Sequence, residues 1–220
     1  MAFILNINTA VGPASVCVAR DIQILSFAQS TNQNEHASWL HPAVKQVITD
    51  ARLGLKDIEA IAVTTGPGSY TGLRIGLAAA KGLGFALNIP LIAINLLEVM
   101  AHAVKTEDAD FFCPVIDARR MEVFMAVYNK NIETIVAPCA LIVEPDSFNS
   151  WQARGKIVFV GNGREKIKRT IADSNVMFSN RVVSSMDMIE LSANSFGEKK
   201  FADAAFIEPL YIKEFYSAAR

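Results

Sequence analysis

Residues 64–76 read Thr-Thr-Gly-Pro-Gly-Ser-Tyr-Thr-Gly-Leu-Arg-Ile-Gly, between an apolar run, Ile58 to Val63, and a long stretch rich in alanine and leucine. That order is a strand, a tight glycine turn and a helix. Gly66 and Gly68 permit backbone angles that other residues resist, and Pro67 fixes its own φ. Ser69 or Thr71 is placed to cap the helix that follows. Two readings of the block stand open. Free N–H groups at the start of the helix form a natural seat for an anion. Alternatively Gly66, Pro67, Gly68, Ser69, Thr71 and Gly72 are only a well-capped structural turn. No Gly-Lys-Ser/Thr follows, so the block is not a P-loop, and it is not G-x-G-x-x-G after the first strand.

The helix predicted over 71–87 carries Gly72, Gly76, Ala80 and Gly84 at four-residue steps. This makes a ridge of small residues on one face. Each glycine weakens a helix by roughly 1 kcal/mol relative to alanine, so a close approach by something else must compensate. The partner is either the protein's own sheet or a helix of another subunit.

The pattern along the chain is strand-rich at two points. Phe3 to Ile7, Ala14 to Ala19 and Ile22 to Ala28 read as a meander, and Phe112 to Ile116, Glu122 to Tyr128 and Glu133 to Pro138 read as a second one. Both then turn helical, an internal echo. A helix over 35–52 has Leu40, Ala43, Val44, Val47, Ile48 and Ala51 in one apolar stripe, with Pro42 predicting a kink or a late start. Further strands are expected at Leu91 to Ile94 and Lys156 to Val160. Further helices are expected at Leu96 to Ala103, Arg164 to Ile171 and Ile189 to Lys199, before a short extended tail from Glu208. The charged stretch Lys105 to Asp110 is the expected boundary, giving an N-terminal lobe over 1–107 and a C-terminal lobe over 108–220.

Composition excludes some classes of function. The formal net charge is −1, so the chain offers no broad cationic footprint for nucleic acid. Cys17, Cys113 and Cys139 are an odd, widely spaced set with apolar flanks and read as buried free thiols. No basic n-region precedes the first strand pattern, and no apolar run approaches the length of a membrane span. A reducing cytoplasm is the expected location.

His36 and His41 are five residues apart and point to different helix faces, so they make a poor metal pair. His102 stands alone. Gly68-Ser69-Tyr70 lacks the G-x-S-x-G elbow pattern, which leaves Ser69 as a helix cap rather than a nucleophile. Asp117 ends an apolar strand before Arg119 and Arg120. It suits a metal-bound phosphate or a turn. Asn8, at the equivalent end of the first strand, is an amide and cannot supply negative charge to magnesium.

The glycine block, with Ile7-Asn8-Thr9-Ala10, Glu35-His36, Asp117-Ala118-Arg119 and Glu208-Pro209-Leu210-Tyr211, resembles the bacterial TsaB family, also called YeaZ. The similarity runs essentially end to end. It implies an α/β chain of the duplicated actin-like ATPase (ASKHA, ribonuclease H-like) type, with two lobes that each hold a mixed sheet and flanking helices. It implies a role in making N6-threonylcarbamoyladenosine at position 37 of tRNA. In that pathway the transferase is the paralogue TsaD, the ATPase is TsaE, and the complex uses ATP and magnesium. TsaD carries His-x-x-x-His, and the matching positions here are Leu96 and Met100, which cannot bind an ion as imidazoles do. The implied role is therefore a non-catalytic partner of TsaD, with a possible homodimer, tRNA reached through the complex, no protease activity and no cofactor assigned to this chain. Asn8, Thr9 and Asp117 are the candidates for lining a vestigial nucleotide cleft. The family pairs through helices of the N-terminal lobe. This makes Trp39, Leu40, Val44, Val47, Arg74, Leu77 and Lys81 candidates for outward contact. The alternative is a free-standing ATP-dependent phosphotransferase, for which Asp117 is the one attractive carboxylate.

Overall fold

The computed structural model describes residues 2–32, 35–171 and 175–213. The chain divides into two compact units, one of Met1–Val99 with Val182–Pro209, the other of Met100–Arg181 with Leu210–Arg220. The division thus differs from a single boundary at 107/108. Val182–Pro209 returns to the first unit because it carries apolar side chains that cover the first sheet.

The first unit contains β1 (Phe3–Asn8), β2 (Ser15–Arg20), β3 (Gln23–Gln29), α1 (His36–Asp50), β4 (Ala60–Gly66), α2 (Tyr70–Leu87), β5 (Leu91–Asn95), the start of α3 (Leu96–His102) and, near its end, α6 (Ile189–Gly197). The strand order is β3-β2-β1-β4-β5. The pairs β1–β2 and β2–β3 are antiparallel, whereas β1–β4 and β4–β5 are parallel. β1 lies at the centre and is covered on both faces, so every residue from Ile4 to Asn8 is buried, the two asparagines included. On one face Leu5, Ile7, Val16, Val18, Ile61 and Val63 pack with Leu40, Val44 and Val47 of α1 and Leu77 and Ala80 of α2. On the other, Cys17 and Ala19 meet Ile189 and half-buried Phe27. α1 begins at His36 and runs through Pro42, so the proline does not delay its start.

The second unit continues with β6 (Phe111–Asp117), β7 (Glu122–Asn129), β8 (Thr134–Ile142), α4 (Asn149–Gln152), β9 (Ile157–Val160), α5 (Arg164–Thr170) and β10 (Val176–Ser179). Its sheet order is β10-β9-β6-β7-β8. Counted from its own first strand this is the order of the first sheet, with the same antiparallel meander and parallel additions. The echo between the two halves is therefore a repeat of topology. β8 runs four residues past Pro138, which is tolerated because β8 is an edge strand and its proline needs no ladder partner. The core holds an aromatic cluster: Phe159 is fully buried, its ring 4.8 Å from Phe148 in a T-shaped pair and 5.8 Å from Phe178 in a stacked one.

Candidate functional site

The glycine block connects β4 to α2. Gly66 has φ of 116°, a backbone that side chains rarely allow. Ser69 is the N-cap of α2, and its hydroxyl accepts from the Gly72 N–H at 3.2 Å. The Ser69 N–H donates to the Ala10 carbonyl at 2.7 Å, and the Thr9 hydroxyl donates to the Gly72 carbonyl at 2.7 Å. A Cβ on Gly68 would collide with the Ala10 carbonyl, and one on Gly72 with the Thr9 carbonyl. The block therefore clamps α2 onto the loop that follows β1. The Ser69 and Gly72 N–H groups are thus engaged within the protein.

The ridge of small residues has the same answer. A Cβ on Gly76 would strike the Thr9 hydroxyl, one on Gly84 would come within 2.9 Å of Leu91 Cδ2, and Ala80 is fully buried. The ridge packs on the protein's own strands and loop. Among the residues expected to face a partner, Leu40, Val44, Val47 and Leu77 lie in the core of the first unit and have no surface to offer. Trp39 is half-buried against that core, Lys81 is half-buried, and Arg74 is exposed with its guanidinium 4.0 Å from the centre of the Tyr70 ring. One residue that sequence reasoning missed stands out on α2: Phe85 is 89% exposed. With exposed Arg74, Ala78 and Gly82 it follows helical spacing. That spacing was present in the sequence but pointed equally well inward.

Asn8 and Thr9 are fully buried in the first unit beside the glycine block. Asn8 Oδ1 accepts from the Thr64 hydroxyl at 3.1 Å and from the Ala10 N–H at 3.2 Å, and its Nδ2 has no partner among the described residues. Asp117 belongs to the second unit. Its Oδ1 accepts from the Arg119 N–H at 2.6 Å and from Lys166 Nζ at 2.7 Å, while its own N–H donates to Asn162 Oδ1 at 2.9 Å. Partial burial works to raise the Asp117 carboxyl, but the Lys166 ammonium and the Arg119 N–H outweigh it and hold the group below the usual carboxylate range. The nearby charge thus favours a structural ion pair over an open metal ligand.

Leu96 and Met100 on α3 are 0% and 2% exposed and serve as core side chains. His36 is buried whereas His41 is exposed, so the two do not converge. His102 Nε2 lies 2.9 Å from Lys105 Nζ. Among the described residues no three His, Cys, Asp or Glu side chains gather as a metal-binding group, and no helix is long and apolar enough to cross a membrane.

The three thiols differ in access. Burial pushes the Cys17 thiol up to about 12, and the thiol donates to the Ser185 carbonyl at 3.3 Å. Burial raises Cys113 well above the ordinary value, and raises half-buried Cys139 as well. A thiol titration with an aromatic disulfide reagent at pH 8 is expected to find one slowly accessible group, Cys139, in the native protein. Cys17 and Cys113 should react only after denaturation. Rapid native modification of Cys17 would contradict the packing on that face of the first sheet.

Comparison with known proteins agrees with this architecture. The family model described as TsaD, tRNA N6-adenosine threonylcarbamoyltransferase, matches residues 28–216. The tRNA threonylcarbamoyladenosine biosynthesis protein TsaB of Escherichia coli is 29% identical over 218 residues, covering 96% of this chain and 94% of the relative. The protein of the same name from Bacillus subtilis is 29% identical over 174 residues, covering 77% and 75%. The solved structure of YeaZ from Pseudomonas aeruginosa superposes with a TM-score of 0.81 at 24% identity, covering 96% of this chain and all of that one. A second structure, of an uncharacterized protein from Pseudomonas aeruginosa with similarity to peptidase YeaZ, gives 0.86 at 24% identity, covering 97% and 100%. The two repeated sheets with flanking helices are the duplicated actin-like fold. A match over most of the length, relatives of one name and a shared fold converge: the chain belongs to the TsaD family, in its TsaB (YeaZ) branch.

Proposed function

We propose that the chain acts in the biosynthesis of N6-threonylcarbamoyladenosine on tRNA as a non-catalytic subunit, pairing with a TsaD-type transferase and a TsaE-type ATPase in the cytoplasm. The shared name of its relatives supports the pathway. The accessory role is carried by one observation: Leu96 and Met100, which the family resemblance sets against the paired histidines of TsaD, are buried apolar side chains. No imidazole pair is on offer there. The chain itself is assigned no cofactor, and the ATP and magnesium of the pathway are used by its partners. The pairing surface is the outward face of α2, where Phe85, Gly82, Ala78 and Arg74 are exposed, with α1 beside it. A second copy of the chain can occupy the same face. An exposed aromatic flanked by small residues suits a helix laid closely alongside.

The other reading, a free-standing ATP-dependent phosphotransferase, needs Asp117 beside a phosphate-bound metal. That carboxylate is already bridged by Lys166 and the Arg119 N–H.

The test is reconstitution. TsaD, TsaE, the donor synthase, ATP, magnesium and unmodified tRNA are combined with and without this chain. Modification should fall to background when the chain is omitted, and an equal yield without it defeats the proposal. Phe85→Asp should weaken co-elution with the transferase by about tenfold or more while leaving the melting temperature unchanged, since central aromatic anchors are typically worth 2 kcal/mol or more.

A further inference from the structure

Between β6 and β7 the chain turns through Ala118, Arg119, Arg120 and Met121. The Glu122 N–H returns to the Arg119 carbonyl at 3.2 Å, and the Ala118 N–H to the Glu122 carbonyl at 3.1 Å. Arg119 and Arg120 both sit in the left-handed region, with φ of 67° and 50°. Glycine and asparagine occupy that region with ease, and long side chains seldom do. Two successive arginines there are an uncommon choice for a turn, and the turn presents both at its tip.

The surroundings leave their charge available. Asp117 is bridged by Lys166, whose side chain is only 16% exposed and which also donates to the Glu122 carbonyl at 2.9 Å. Glu122 pairs with Lys213. Glu165, on α5, pairs with Arg164 at 3.6 Å. Among the described residues no acidic side chain lies within ion-pair distance of either Arg119 or Arg120, though the charge of Arg119 is felt at Asp117. The turn and α5 together hold six cationic side chains against three carboxylates in a chain whose net charge is −1. The local excess is therefore an exception to the composition. Arg119, Arg120 and Met121 are all exposed, so the tip is an open surface rather than an enclosing pocket. Small nucleotides are held in concave sites that bury most of the ligand, whereas an RNA backbone can lie across an open tip. Guanidinium groups also match phosphate oxygens in a two-pronged fashion.

We infer that the 117–122 turn is a direct docking point for the phosphate backbone of the RNA, with Arg119 and Arg120 making the contacts and the Lys166–Asp117 pair holding the turn in shape. This rests on the reading that the chain works on tRNA. It adds a contact made by this subunit itself, local enough to coexist with a near-neutral overall charge.

The test titrates the full chain with fluorescein-labelled, unmodified tRNA transcript and follows anisotropy from 50 to 200 mM salt. Binding is expected with a dissociation constant of about 10–100 µM at the lowest salt, the range of sequence-independent contacts. Arg119→Asn with Arg120→Asn preserves residues that accept the left-handed backbone. It should weaken binding about tenfold and reduce the salt slope by one to two contacts. Arg119→Lys with Arg120→Lys should keep most of that slope. Unchanged affinity and slope in the asparagine variant would overturn the inference, as would failure of the wild-type chain to saturate by about 1 mM. So would loss of ATP binding, with tRNA binding intact, in a parallel titration with ATP. Co-elution with the transferase and modification yield are measured separately. If both fail while tRNA still binds through these arginines, the subunit assignment falls and this contact stands.

Discussion

Replacing Gly72 with alanine is expected to destabilise the first unit by about 3 kcal/mol, the upper end of overpacking costs. The new methyl group would fall on the Thr9 carbonyl oxygen. That atom is backbone at the end of the central strand, so no rotamer change can relieve the clash. Relief requires moving α2 away from the loop, which also breaks the buried hydrogen bond from the Thr9 hydroxyl to the Gly72 carbonyl. Gly82, on the same helix, is the control. It is exposed and nothing lies within 4 Å of where its Cβ would be. Gly82→Ala should stabilise by about 0.5–1 kcal/mol, through helix propensity alone. The chain has two tryptophans, Trp39 and Trp151, one in each unit. Urea unfolding followed by fluorescence in a Trp151→Phe background therefore reports the first unit through Trp39. Gly72→Ala within 0.5 kcal/mol of the parent would refute the clamp.

Phe159→Ala should cost the second unit about 3–5 kcal/mol. Phe159 is on β9, fully buried, and its ring contacts Phe148 on one side and Phe178 of β10 on the other. Truncation removes both ring pairs and leaves a cavity in the core of the second unit, where Ile157 and Ile167 also pack. Phe159→Leu keeps much of the volume and should lose roughly half as much. The same urea experiment in a Trp39→Phe background reads the second unit through Trp151, whose ring lies 5.2 Å from Phe111. If the alanine variant loses less than about 1 kcal/mol, the aromatic cluster does not organise this core.

The glycine block was legible because each residue in it answers a local demand. A strand ends, a cap is needed, and only glycine fits against the Ala10 and Thr9 carbonyls. The meanders were legible because two-residue alternation and turn residues are short-range signals. Faces were not. Leu40, Val44 and Val47 have the spacing of a helix stripe whether it meets a sheet or another subunit, and they turned out to meet the sheet. Phe85, which does face outward, sits among residues too apolar for pattern alone to separate it from the core. β10 and α4 are four residues each, shorter than the window in which a period can be recognised. The return of Val182–Pro209 to the first unit is a long-range pairing that no local pattern encodes.

That return has a consequence for how the protein is made. One face of the first sheet, around Cys17, Ala19 and Phe27, receives its cover from Ile189. On a ribosome this cover emerges only after the whole stretch Met100–Arg181 has been translated, a delay of several seconds at about 5–20 residues per second. For that interval the nascent N-terminal half carries a bare oily surface, and the time during which trigger-factor-like holdases could engage it is set by the length of an intervening segment that must itself be folding.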